Sequence, residues 1–279
     1  MKKLNFIIKC GLALLLLSFY SCESWLNVTP SDRLSEEMLF NDREGFVKAL
    51  NGVYIELNTN ELYGRNLTAG ALDVMGQYYS VASSSHAFYN YGGLVYTGND
   101  EKALFDNMWQ KCYAVIACCN TIIEKCDENK AGLSPVWRGS IKGEALALRA
   151  MLHFDMLRLF GPLTSELDKE SIPYQTNSDQ TVTPLLSGSE VVGLILDDLK
   201  NAVGLLKDTD PYFVEEEFSD TDLNYRRFRM NYFAAKGLMA RVQLWGGDKE
   251  KAAATAKEVI AEGQAEGDIC FGELSEAAW

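Results

Sequence analysis

The chain predicts a mainly all-α fold, a solenoid of helix pairs with a loop-rich, aromatic ligand face. Three observations carry that expectation. Apolar residues recur at helical spacing over most of the length, two helices and a glycine turn fill residues 231–263, and only Gly92 to Thr97 alternates well enough to suggest a strand.

Taken in order, the first stripe is Phe46, Val47, Leu50, Val53, Tyr54 and Leu57, with Asn41 placed to cap it three residues before Glu44. A second stripe runs Phe105, Met108, Trp109, Cys112, Ile116, Cys119, Ile123 and Cys126. Ser134-Pro135 opens a third helix, a cap followed by proline at the first helical position. That helix presents Ile141, Ala145, Leu148, Leu152 and Leu159 and stops at Gly161-Pro162. Ser187 and Glu190, at capping-box spacing, start a fourth that carries Val191, Val192, Ile195, Leu196, Leu199, Ala202 and Leu206. The last two helices span roughly Asn231 to Trp245 and Asp248 to Ala261 around Gly246-Gly247. Their 33-residue unit, 231–263, is close to the ~34 residues of a tetratricopeptide repeat, a helix pair that buries its inner face by stacking on neighbours. Ala234, Ala235, Gly237, Ala240, Ala252, Ala253 and Ala256 are small enough to let the two helices approach closely.

Composition narrows the function. With 47% apolar and 23% charged residues the chain is a folded globular protein. Its 39 acidic residues against 26 basic ones give a formal charge of -13, which repels a phosphate backbone, so no nucleic-acid partner is expected. The densest basic spot is only Arg226, Arg227 and Arg229. Two histidines rule out a histidine-rich metal site, and no cysteine spacing suits zinc, so neither metal nor cofactor is expected. Nor is catalysis. His86 and His153 have no serine or cysteine motif beside them, Asp197-Asp198 falls on an amphipathic helix where adjacent residues face different ways and solvation explains both, and Glu215-Glu216-Glu217 reads as a solvated acidic loop.

The amino terminus reads as an address. Lys2, Lys3 and Lys9 precede an apolar run from Cys10 to Tyr20, too short for the ~20 residues of a membrane-spanning helix. It ends in Phe19-Tyr20-Ser21-Cys22, similar to a bacterial lipobox with Phe19 where leucine is usual. Residues 1–21 are therefore expected to be a lipoprotein signal peptide, with Cys22 lipidated as the mature first residue and the rest tethered by that anchor. Among the remaining thiols, Cys112, Cys119 and Cys126 recur every seven residues on one helical face. Seven residues rise ~10 Å along a helix, beyond disulfide reach, so these are expected to be free core cysteines.

One segment stands apart. Gly76 to Asn99, expected to be nonhelical, holds Tyr78, Tyr79, Phe88, Tyr89, Tyr91 and Tyr96 among serine, glycine and asparagine. Tyrosine offers a face on which a sugar ring can stack and a hydroxyl that bonds sugar hydroxyls. Tyr78, Tyr79, Tyr89 and Tyr91 are thus the candidate ligand residues, with Asp73 and Asn90 as the nearest polar partners. The competing reading is that some of these rings pin the loop to the helices.

A family resemblance follows from blocks spread along the chain. Cys22-Glu23-Ser24-Trp25-Leu26-Asn27-Val28-Thr29-Pro30 with Asp32-Arg33-Leu34 and Glu37 resembles the mature start of SusD/RagB lipoproteins. The likeness continues through Leu50-Asn51-Gly52-Val53-Tyr54, Trp109, Tyr113 and Asn120, Gly143-Glu144-Ala145, Leu148-Arg149-Ala150, Leu159-Phe160-Gly161-Pro162 and Asp197-Asp198-Leu199, then Ala235 to Leu244. It implies an outer-membrane, surface-facing lipoprotein that captures an oligosaccharide or polysaccharide, or another oligomeric nutrient. Such a protein passes its ligand to a SusC-like TonB-dependent transporter. Family members are longer, so residues 22–279 are expected to be the N-terminal part of a SusD-like helical domain without its C-terminal half. The short apolar stretch Gln264 to Trp279 fits that expectation, being too short for another helix pair. The alternative is a lipid-tethered tetratricopeptide-like scaffold that binds only protein partners in the envelope; the tyrosine-rich loop favours the first reading.

Overall fold

A computed structural model describes residues 36–179, 181–214 and 217–265. The leader 1–21, the Cys22 lipid site and the segment 266–279 lie outside the described residues. The chain divides into a first unit through Leu39, whose described part is the one-turn helix α1 (Glu36–Leu39), and a second from Phe40 onward.

The second unit is built from the expected helices. Helix α2 (Arg43–Leu57) buries Phe46, Leu50, Val53 and Leu57, each side chain stabilising by ~1.5–3 kcal/mol on leaving water. Its cap is Asp42, which accepts from Gly45 N at 2.9 Å, and not Asn41. Starting at Arg43 puts Glu44 second in the helix, one residue short of the capping-box position, and Glu44 pairs with Lys48 instead. Helix α5 (Asn99–Glu128) buries Met108, Cys112, Ile116, Cys119, Ile123 and Cys126 as the stripe required. It ends at left-handed Asn129, whose amide bonds Leu133 N and O to close the turn.

Helix α6 (Pro135–Phe160) starts at the Ser134 cap and is buried on almost every side. It runs antiparallel to α5, because Lys142 pairs with Asp127, Arg149 with Asn120, and Cys112 with the Leu152 carbonyl. Helix α7 (Gly188–Thr209), opened by the Ser187–Glu190 capping box, packs antiparallel on the other side of α6. The approach is close there: a methyl at Gly143 would strike Leu206, and one at Gly139 would strike Thr209. Helices α9 (Tyr232–Trp245) and α10 (Lys249–Ala265) form the terminal pair, with Asn231 capping α9. Only Ala235, Ala240 and Ala252 of the expected small residues are buried; Lys236, also buried, reaches across to Glu258 and Glu262.

The strand expectation is corrected. Gly92 to Thr97 forms no strand, since Val95 N donates to Asn90 O at 2.8 Å and Leu94 N to Tyr91 O, a local turn that uses up the ladder groups. The strands lie elsewhere: β1 (Glu170–Pro173) pairs antiparallel with β2 (Leu185–Ser187).

Two buried ionic clusters lock these elements together. Arg226 grips Asp210 through two nitrogens (2.8 and 2.6 Å) and also meets Glu144. Arg229 reaches the same Glu144 at 2.7 Å, and Tyr54 donates to it. Burial alone would raise the Glu144 carboxyl, but Arg226 and Arg229 hold it below its ordinary value. In the second cluster Arg149 forks onto Asp198 at 2.7 and 2.6 Å, Tyr174 donates to the same carboxylate at 2.5 Å, and Asn120 holds the carbonyls of Gln175 and Asn177. Asp198 is thus no solvated partner of Asp197. The two neighbours point different ways, Asp197 to water and Asp198 to α6.

Candidate functional site

The aromatic segment is anchored by short helices. Helix α3 (Ala71–Met75) buries Ala71 and Val74, and the one-turn α4 (Tyr89–Gly92), inside the stretch expected to be nonhelical, buries Tyr91 against them. Tyr91 lies edge-on to Phe88 (5.8 Å) and Phe105 (5.9 Å), and Phe105 touches Phe160 of α6 (6.2 Å). At 2% exposure Tyr91 is a core anchor and leaves the set of ligand-facing residues. The reason is helical geometry: residues two apart in a turn face nearly opposite ways, so with Tyr91 inward Tyr89 must be outward. Burial, with the charges of Glu101 and Asp100, pushes the Tyr91 hydroxyl up to about 12.

The other tyrosines stand in water: Tyr78 is 80% exposed, Tyr79 53% and Tyr89 42%. Tyr79, Tyr89 and Asn90 come together in one open cleft of about 430 Å³, walled also by Gln77, Val81 and Val95. Tyr78 lies over Gly76 beside this cleft. Asp73 is half-buried on α3, its carbonyl accepting from Tyr78 N at 3.0 Å, and it does not line the cleft. Gln77, which sequence reading did not single out, shapes the mouth. It adopts a left-handed backbone (φ 62°), and its amide donates to Gly92 O at 3.0 Å across the loop. Such non-glycine conformations are uncommon and need support from their surroundings, which that bond supplies. The His86 ring accepts from Phe88 N at 3.1 Å and lies 5.8 Å from the Phe88 ring, a contact within the loop.

A second groove, about 360 Å³, runs between α2, α6 and the short helix α8 (Asp220–Arg226). Its buried charges, Glu144 and Arg226, are spent on each other and on Asp210 and Arg229, while Tyr225 and Phe228 stand exposed at its edge. Among the described residues no group of histidine, cysteine and carboxylate side chains could hold a metal, and no helix is long and apolar enough to cross a membrane.

Antiparallel helix pairs presenting a tyrosine-walled cleft on an anchored loop define a helix-repeat protein with an exposed aromatic site. Residues 24–244 match the model of a SusD-like family described as starch-binding and associating with the outer membrane, and the chain belongs to that family. It is 25% identical over 265 residues to SusD-like protein P2 of Formosa agariphila, covering 92% of this chain and 46% of that one. A SusD superfamily protein from Bacteroides vulgatus superposes with a TM-score of 0.65 at 21% identity, over 83% of this chain and 49% of that chain. A SusD-like carbohydrate binding protein from the same organism superposes at 0.64 with 23% identity, over 84% and 47%. These likenesses establish the fold. The chain spans about half the length of the relatives it matches.

Proposed function

We propose that this protein is a cell-surface glycan-capture lipoprotein. It is held in the outer membrane through lipid on Cys22 and passes oligosaccharides to a SusC-like TonB-dependent transporter. The observation that carries the reading is the cleft, where the exposed rings of Tyr79 and Tyr89 flank Asn90 on a loop that Tyr91 pins to the helices. Rings stack on sugar faces, and the amide bonds sugar hydroxyls. Tyr78, beside the cleft, extends the stacking surface. The family description as starch-binding and the carbohydrate-binding relative support the same class of ligand. The role in this reading is capture without cleavage, in keeping with the starch-binding description of the family and the carbohydrate-binding relative.

Affinity electrophoresis against starch and other polysaccharides tests this. Replacing Tyr79 and Tyr89 together by alanine should weaken retardation about tenfold, the scale of lost aromatic anchors, with helical circular dichroism unchanged. Full affinity in the double variant would move the site away from the cleft. Mass spectrometry of the native protein should find Cys22 lipidated and no peptide from residues 1–21; an unmodified terminus beyond Cys22 would remove the anchor. The scaffold alternative draws on one observation, the exposed Tyr225 and Phe228 beside the second groove. Substituting those two should leave glycan retardation intact.

A further inference from the structure

Glu101 lies in the first turn of α5, only 6% exposed, behind the wall of the cleft. Its Oε1 accepts from Asn90 Nδ2 at 2.8 Å. A carboxylate has no proton to give, so the nitrogen end of the Asn90 amide must face it and the oxygen end must turn away. Asn90 is itself exposed and lines the cleft, so that oxygen is available to a ligand there. The carboxylate is confined from the other side as well, because a methyl added to Gly98 would collide with Glu101 Oε2. Charge adds a second consequence. The cleft lining contains no lysine, arginine or histidine, and the formal charge bonded directly to it is the negative one on Glu101.

Resting on the reading that this cleft takes a glycan, we propose that Glu101 is a positioning residue that locks Asn90 with its carbonyl oxygen toward the ligand, selecting neutral oligosaccharides over uronate- or sulfate-bearing ones. A sugar hydroxyl donates to that fixed acceptor. An ionised carboxylate or sulfate cannot donate, meets oxygen against oxygen, and finds no cation in the lining to offset the repulsion. Glu101 itself touches no sugar; it acts through Asn90.

The test uses the full chain and two variants. Glu101→Gln removes the charge and lets the Asn90 amide turn over. Gly98→Ala keeps the charge but pushes the carboxylate off Asn90. Calorimetry against amylopectin and laminarin as neutral probes, and polygalacturonate and alginate as anionic ones, should show wild type binding at least one neutral polymer and neither anionic one. Both variants should lose about three- to tenfold toward the neutral polymer, the size of a hydrogen bond no longer held in place. Only Glu101→Gln should gain toward the polyanions, whereas a purely structural Glu101 would weaken neutral binding with no gain toward the polyanions. Independently of any ligand, the Asn90 side-chain NH₂ resonances of nitrogen-15-labelled protein should shift in both variants. Wild-type preference for a polyanion would overturn this inference while leaving glycan capture standing. Unmoved Asn90 resonances with unchanged neutral affinity would overturn the positioning role. Binding to none of the four polymers would overturn glycan capture and this inference with it.

Discussion

Lowering the pH should destabilise the fold in part through one buried histidine, His153. His153 on α6 is fully buried and stacked on Tyr174 with ring centroids 4.0 Å apart. Gln175 N donates to its Nε2 at 3.0 Å, so the ring proton sits on Nδ1, which donates to Arg149 O at 3.0 Å. A second proton on Nε2 would face an N–H in surroundings closed to solvent. Burial, reinforced by the Arg149 guanidinium, lowers the imidazole from 6.5 to about 3. Because the folded value is depressed, the unfolded chain binds the extra proton first. The contribution is complete above pH 6.5 and is lost as pH falls toward 3. At about 1.36 kcal/mol per pH unit, the loss between pH 7 and pH 5 is about 2 kcal/mol. Carboxylates held low, such as Glu144, tilt the profile the same way, so the measurement is a difference against His153→Gln, which keeps an acceptor for Gln175 N. Urea unfolding followed by circular dichroism at pH 7, 6 and 5 should show wild type losing about 2 kcal/mol more than the variant. Parallel pH profiles for the two proteins would refute the assignment of a neutral, proton-excluding His153.

Replacing Glu144 by alanine leaves buried Arg226 short of one partner and Arg229 without its carboxylate, and urea titration should register a loss of about 3–5 kcal/mol. Tyr91→Ala should cost about 3–5 kcal/mol through the cavity it opens, against under about 0.5 for Tyr78→Ala on the surface; comparable losses at the two positions would contradict their burial. Thiol labelling of native protein with peptide mapping should modify Cys118 and spare Cys112, Cys119 and Cys126, which burial makes hard to ionise, until urea is added. A bridged peptide joining any two of the last three would contradict their placement along one face of α5.

Part of the candidate site was legible in the residues alone. The density of aromatics from Tyr78 to Tyr96 in a polar setting marked the loop, and three of the six named ligand candidates, Tyr79, Tyr89 and Asn90, share the cleft. Which tyrosine faces outward was not legible, because it depends on one turn of helix at Tyr89–Gly92 whose rotation is set by the distant Phe105. Glu101 gave no signal either; an acid in the first turn of a helix is ordinary, and only the return of the loop brings Asn90 to it.

The same division runs through the fold. Local pattern was enough to determine the long helices, their caps at Ser134 and Ser187, and the buried cysteine stripe at Cys112, Cys119 and Cys126, because spacing and capping act within a few residues along the chain. Tertiary structure alone decided that Arg226 is a buried clamp for Glu144 82 residues away, that Asp198 faces Arg149 while Asp197 faces water, and that the strands form at Glu170–Pro173 and Leu185–Ser187. Those outcomes rest on partners far apart in sequence. A charge is buried only where an opposite charge from another element is there to meet it, and a strand persists only where a second one takes up its hydrogen bonds.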